Sequence, residues 1–263
     1  MSDTASDNGD AAFDMFREPS PPPPPPPTFT KYTHPSLPGE SINLRLVGSH
    51  PLWGHHLWHA SQIFAQYILT QIPDIAGKSV LELGAGAGLP SLAAARAGAG
   101  RVVVTDYPDR DLMENLDCNV DANITGEEAR GKIEVRGFVW GTDVTELSPP
   151  FDYLILSDLL FNHSQHEAMY RTCLHTLASH SHNPSAAILV FYSSHRPKFA
   201  EKDLSFFDLF RTRGWSVEEV VQDRTLGVMF EEDEGDEGVR GLVRGFVVRR
   251  LPGVQQLERP KDD

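Results

Sequence analysis

The sequence predicts an α/β fold in which a mostly parallel sheet is covered on both faces and ends in an antiparallel edge hairpin. Three observations predict it. Short apolar runs of strand type alternate with helical patterns after residue 78. A glycine-rich turn, VLELGAGAGLP at 80–90, joins the first of those strands to a helix. The last two strand candidates follow one another with no helical pattern between them, so they should pair antiparallel.

Ahead of the sheet, Leu57, Ala60, Phe64 and Tyr67 recur at helical spacing, which predicts an amphipathic helix within 46–68. Trp53 extends that apolar stripe by a turn; Trp58 lies off it and is freer to reach a ligand. Strands are expected at 79–84, 101–106, 132–138, 152–158 and 186–193, with helices at about 89–97, 109–122, 164–180 and 199–213. Pro90 stands where the first turn of a helix tolerates it. WSVEEVVQ at 215–222 and RGFVVRRL at 244–251 form the hairpin, joined through the solvated acidic loop EEDEGDEG at 231–238. The inferred strand order is 3-2-1-4-5-7-6, with a ligand crevice at the carboxyl ends of the first and fourth strands. This is the Rossmann-like, seven-strand class I methyltransferase plan.

The glycine loop selects the ligand. Gly84, Gly86 and Gly88 give G-x-G-x-G, and Leu89 stands where a dinucleotide fingerprint needs a third glycine or alanine. Asp106 ends the next strand, about 20 positions on, placed to accept from both hydroxyls of a ribose. Glu82, just before the loop, suits a ligand with a positively charged amino-acid end. Together these favour S-adenosylmethionine over NAD. Gly84, Ala85 and Gly86 then line the cofactor, Trp140 in GFVWG flanks the adenine, and backbone groups at Ser157 face the cofactor. The Asp158 side chain faces an incoming amine, or else caps the following helix. Phe161 and Tyr192 are candidates for cation–π contact with a methylated amine. Asn162, a further candidate on the substrate side, reads more simply, with His163 and His195, as a loop-shaping polar residue.

Composition narrows the rest. Residues 1–40 read as an acidic, proline-rich disordered tail, with eight prolines in the nine positions from Pro19 to Pro27. Residues 41–251 form one domain, and 252–263 a short polar tail. A net charge of −14 argues against direct nucleic-acid binding. Two cysteines, no signal peptide and no long apolar run suggest a reducing cytoplasmic setting without a membrane span. His50, His55, His56 and His59 invite a metal, but no HExxH glutamate or third ligand accompanies His55 and His59, so no metal is expected.

The strings HPLWGHHLW, VLELGAGAGLPSL, TDYPDRDLMENL, FVWG, ILSDLLFNHSQH and SHRP resemble the fungal protein N-terminal and lysine methyltransferases that act on elongation factor 1-alpha. These belong to the wider family-16 group of seven-strand lysine methyltransferases. The resemblance runs from about Leu44 to Leu251. It implies cofactor contacts at Trp58 or Trp53, Gly84 to Gly86, Asp106, Trp140 and Ser157. It also implies the substrate: the N-terminal glycine amine and adjacent lysine of the elongation factor. The protein is expected to be a monomer. Nicotinamide N-methylation is the older reading of the same group, and a non-catalytic binding module is a second alternative. Relatives often carry Asp-x-x-Tyr after the fourth strand, whereas this chain has Asp158 with Phe161. The chemistry would be attack of a neutral amine on a sulfonium methyl group. At neutral pH, deprotonation costs about 1 kcal/mol for an α-amine and about 4–5 for a lysine.

Overall fold

The computed structural model describes residues 25–253. Two strands open the described chain, β1 (Thr28–Tyr32) and β2 (Ile42–Leu46), paired antiparallel with each other. Helix α1 (His59–Gln71) follows, and the main sheet then begins. Its elements are β3 (Ser79–Leu83), α2 (Leu89–Arg96), β4 (Arg101–Asp106), α3 (Arg110–Asn123), α4 (Glu127–Arg130), β5 (Ile133–Gly137), β6 (Tyr153–Ser157), α5 (His166–Thr176), β7 (Ala187–Ser193), α6 (Ala200–Arg211), β8 (Ser216–Asp223), α7 (Glu237–Arg240) and β9 (Val243–Arg249).

The seven-stranded sheet has the order β5-β4-β3-β6-β7-β9-β8. β3 to β7 run parallel, and β9 pairs antiparallel with both β7 and β8. Counted within this sheet, that is the expected 3-2-1-4-5-7-6. Alternation along each strand divides the core into two layers. Val80, Val102, Val104, Ile155 and Phe191 pack toward α1 and α2 with Phe64, while Leu81, Leu83, Leu154 and Leu156 pack with Phe206, Phe207 and Phe210 of α6. Among the described residues, no helix is long and apolar enough to cross a membrane.

Two expectations ahead of the sheet are corrected. The helix expected within 46–68 begins only at His59. Pro51 and Gly54 interrupt the pattern, and Trp53 sits in the left-handed region at φ 62°, so 47–58 forms a strap of turns and Trp53 extends no helical stripe. Ordered structure also starts before position 41. Tyr32, Leu37, Ile42 and Leu44 are buried in the first core layer, so Thr28–Asn43 belongs to the fold. The acidic segment and most of the proline run, 1–24, and the last residues, 254–263, lie outside the described residues.

Hydrogen bonds from a helix hold the hairpin in place. Asn115, Asn119 and Asn123 recur every four positions on α3, forming one stripe facing β2. Asn123 accepts from the Asn43 N–H at 2.8 Å and donates to its carbonyl at 2.7 Å. Asn119 does the same for Arg45, at 2.7 and 2.9 Å. Each amide thus satisfies both polar groups of a strand residue, as a neighbouring strand would. Asn119 Nδ2 donates also to the Ala87 carbonyl at 3.0 Å, which links the hairpin to the glycine loop.

Candidate active site

The candidate site residues gather at the carboxyl ends of β3, β4, β6 and β7. β3 runs into the glycine loop, where Gly84, Gly86 and Gly88 adopt φ of 61°, 56° and 75°. Only glycine takes that conformation readily in three such closely spaced positions. The loop is clamped to the end of β4: Ala85 N–H donates to the Thr105 carbonyl at 2.9 Å, and Gly86 N–H donates to Asp106 Oδ2 at 2.7 Å. Asp106 Oδ1 accepts from the Tyr107 N–H at 2.7 Å. Burial pushes the Asp106 carboxyl above its usual range, against the lowering pull of the Gly86 and Tyr107 N–H groups and the nearby His50. Two of the four acceptor sites on this carboxylate are engaged, which leaves one on each oxygen for a ligand.

The space around the loop fits a bound cofactor. A Cβ on Gly86 would meet nothing within 4 Å, so a ligand has room to approach that backbone closely. A Cβ on Gly84 would meet Leu159 at 2.8 Å and Trp140 at 3.0 Å, which places the Trp140 indole beside the first glycine. The Ser157 hydroxyl, at the end of β6, is buried without a hydrogen-bond partner among the described residues. Glu82 does not face this space. It is fully buried, accepts from the Ser91 N–H at 3.0 Å, and burial pushes its carboxyl up to about 8. It secures the start of α2, and its expected contact with the amino-acid end of a ligand is not made by an exposed carboxylate.

The strap crosses this end of the sheet. On one side, His50 Nε2 lies 3.3 Å from Asp109, the residue that caps α3. On the other, Trp58 lies against His195 beyond β7, ring centroids 4.8 Å apart. Trp58 Nε1 donates to the Trp53 carbonyl at 3.3 Å, and its ring meets Phe230 edge-on. Trp53 is half exposed and stacks on His55 and His56. Of the two tryptophans, Trp58 is the one that meets residues at the end of the sheet.

The substrate side differs more from expectation. Asp158 has φ 58° and does not cap a helix, because α5 begins at His166 after Gln165. Its Oδ1 accepts from the Ser193 N–H at 3.1 Å, and Oδ2 lies 3.0 Å from His195 Nε2. Burial opposes charge on His195, but Asp158 outweighs it and holds the imidazole above its usual value. Tyr192 is corrected: it is 1% exposed and packs between Phe207 and Phe246, on the face of β7 turned into the core. The strand ends at Ser193, as expected, but Tyr192 lies on the face covered by α6, opposite Phe191. Phe161 is exposed at the rim, its carbonyl accepting from Arg196 at 2.9 Å. Asn162 is spent locally, accepting from the Ser164 hydroxyl and, through its carbonyl, from the Gln165 N–H. His163 Nε2 lies 2.7 Å from Asp203, whose other oxygen accepts from Ser194 at 2.7 Å, so α6 ties together the loops after β6 and β7.

Residues 43–213 match the family described as lysine methyltransferase. The chain belongs to that family. Its curated relatives include the protein N-terminal and lysine N-methyltransferase EFM7 of Cryptococcus neoformans var. neoformans serotype D (strain B-3501A), 44% identical over 94% of this chain and 91% of the relative. The Schizosaccharomyces pombe protein of the same name is 40% identical over 92% and 96%. Among solved structures, the O-methyltransferase from Bacillus cereus in complex with SAH superposes with a TM-score of 0.50 at 15% identity, covering 76% of this chain and 84% of that one. That likeness concerns the fold. Family membership makes this lysine methyltransferase an S-adenosylmethionine-dependent N-methyltransferase.

His195 carries only a weak signal in the sequence of this methyltransferase. The signal was the string SHRP directly after a strand, at the same end of the sheet as Asp158, but no spacing rule joins residues 37 positions apart. The asparagine stripe of α3 was legible as an i, i+4, i+8 pattern, yet asparagines on a helix more often face water.

Proposed function

We propose that this enzyme methylates the N-terminal glycine amine and the adjacent lysine of translation elongation factor 1-alpha, acting as a cytoplasmic monomer. The observation that carries the reading is a whole-length match to relatives named for N-terminal and lysine methylation, at 40–44% identity. S-adenosylmethionine supplies an electrophilic methyl group when bound. Gly84 to Gly86, Asp106, Trp140, Ser157 and Trp58 are the residues that would hold it, with Trp53 at the outer edge of the strap.

On this reading the acceptor amine enters beside Asp158, between the loops after β6 and β7. Phe161 lines the entrance and offers a ring face to a methylated cation, which needs no N–H donor. A net charge of −14 favours approach of a basic segment. Positioning the amine in line with the methyl group should supply most of the rate.

The test offers the purified enzyme a synthetic peptide beginning Gly-Lys from the elongation factor, the same peptide acetylated at its N-terminus, and nicotinamide. The free peptide should be methylated at its terminal nitrogen, with the acetylated form modified at lysine only. Preferential methylation of nicotinamide would overturn the reading.

A further inference from the structure

We propose that His195, oriented by Asp158, is the group that takes the proton from the substrate amine. The inference rests on the amine-methylation reading above and assigns a role that reading leaves open. Asp158 meets His195 directly and orients its ring. One of its oxygens is taken by the Ser193 N–H and the other by His195 Nε2. A carboxylate only accepts, so the neutral imidazole carries its hydrogen on Nε2 and presents the lone pair of Nδ1. The carboxylate therefore fixes the tautomer, and the ring offers the acceptor.

The surroundings keep that ring in place while leaving it reachable. Trp58 lies over it at 4.8 Å, tilted by 56°, and the His195 side chain retains 18% exposure. Asp158 itself holds a left-handed backbone conformation unusual for a residue with a side chain. Such conformations persist where the surrounding structure over-determines them, often at functional sites. Other candidates at this end of the sheet are occupied elsewhere. Tyr192 is sealed in the core, and His163 is tied to Asp203. Phe161 has no proton to exchange.

The charged groups acting on His195 come from several elements. Asp158 follows β6, Asp203 lies on α6 and Asp233 on the acidic loop, and all three favour the protonated ring. His59, at the start of α1, faces the same pair. A base held somewhat above the ordinary histidine value is matched to an α-amine, whose reference value is near 8. A lysine, near 10.4, is a harder donor for it.

In the proposed step, one ammonium proton passes to Nδ1, and Asp158 stabilises the resulting imidazolium. The freed nitrogen lone pair attacks the methyl carbon. The N–C bond forms as the C–S bond breaks, and its electron pair remains on sulfur as a neutral thioether. The imidazolium then releases its proton to water, so one ammonium and one sulfonium become one methylammonium, one thioether and one proton.

The experiment measures single-turnover rates from pH 6.5 to 9.5 with the full chain, saturating S-adenosylmethionine and the Gly-Lys peptide, for wild type, His195→Gln, His195→Asn and Asp158→Asn. At pH 7 the histidine variants should lose roughly 10²-fold or more. The gap should shrink to about tenfold or less at pH 9.5, where the amine deprotonates unaided. Cofactor affinity should stay within about threefold, since neither residue touches the glycine loop. The double variant His195→Gln/Asp158→Asn should be no slower than His195→Gln alone. A loss that is constant across the pH range, in folded variants, would mean a structural role and overturn the assignment. A separate titration of the His195 ring by NMR does not depend on the substrate. Asp158→Asn should lower the midpoint of that titration, and an unchanged midpoint overturns the proposal even if the peptide proves not to be the substrate. Wild-type enzyme that leaves the peptide unmodified at every pH counts against the substrate reading alone.

Discussion

Replacing Asp106 with alanine removes a carboxylate that does two jobs at once. It accepts from the backbone N–H groups of Gly86 and Tyr107, both at 2.7 Å, and on the proposed reading its remaining acceptor sites take the ribose hydroxyls. Hydrogen bonds to a charged group contribute about 1.5–3 kcal/mol each, and a tenfold change in affinity is about 1.4 kcal/mol. Loss of the two ribose contacts should therefore weaken S-adenosylmethionine binding by at least ~10-fold, and by up to ~10⁴-fold if water replaces neither. The effect on the free protein should be smaller. Two buried N–H groups lose their acceptor, but the carboxylate was itself penalised by burial, so a net loss of ~1–2 kcal/mol is expected. Titration calorimetry gives the affinity, and urea unfolding without cofactor gives the stability. Unchanged affinity in a folded Asp106→Ala protein would refute the ribose assignment; a collapse of stability by ~5 kcal/mol would show that the carboxylate serves the loop first.

Three further outcomes follow from the geometry. Asn119→Ala leaves the Arg45 N–H, the Arg45 carbonyl and the Ala87 carbonyl without their partner, so unfolding stability should fall by ~2–4 kcal/mol; a loss under ~1 kcal/mol in urea denaturation would mean that the hairpin is held by apolar contacts alone. Glu82 is pushed from 4.5 to about 8, so between those values the folded protein keeps a proton that the unfolded chain has released, and stability falls as pH rises. The unfolding free energy of Glu82→Gln relative to wild type should accordingly improve by ~3–5 kcal/mol from pH 4.5 to pH 8, and a difference that stays flat would refute the buried-acid assignment. A chain starting at Thr28 should fold and methylate the peptide, whereas one starting at Leu44 loses β1 and the buried Ile42 and should not reach a stable fold. A folded, cofactor-binding but inactive Leu44 chain would show instead that Thr28–Asn43 serves the substrate site and not the fold.

Most of the sheet was legible because each strand carries its own local signal. Apolar runs of β-branched residues bounded by glycine, such as RVVVTD, read as buried strands, and the absence of a helix between β8 and β9 dictated their antiparallel pairing. The cofactor side was legible for the same reason, since the glycine loop and Asp106 lie at a spacing set by one βαβ unit. What failed depended on contacts between distant segments. Periodicity carried the helix back through Trp53, although Pro51 and Gly54 had already broken it. Tyr192 was placed in the crevice because β7 is apolar on both faces, so its sequence does not say which face α6 covers. The hairpin at Thr28–Leu46 was missed because the Asn119 and Asn123 amides that complete β2 come from a helix over 70 residues away. Asp158 and His195 were each visible, but only the fold brings them within 3.0 Å.

On the proposed function, the acceptor is the amino terminus of elongation factor 1-alpha. That assignment is tested most directly by intact mass and terminal-peptide mapping of the factor from cells with and without this protein. Methyl groups are expected on the terminal glycine nitrogen and the adjacent lysine in the first sample, with their loss at both positions in the second. An identical N-terminal peptide mass in the two samples would contradict it.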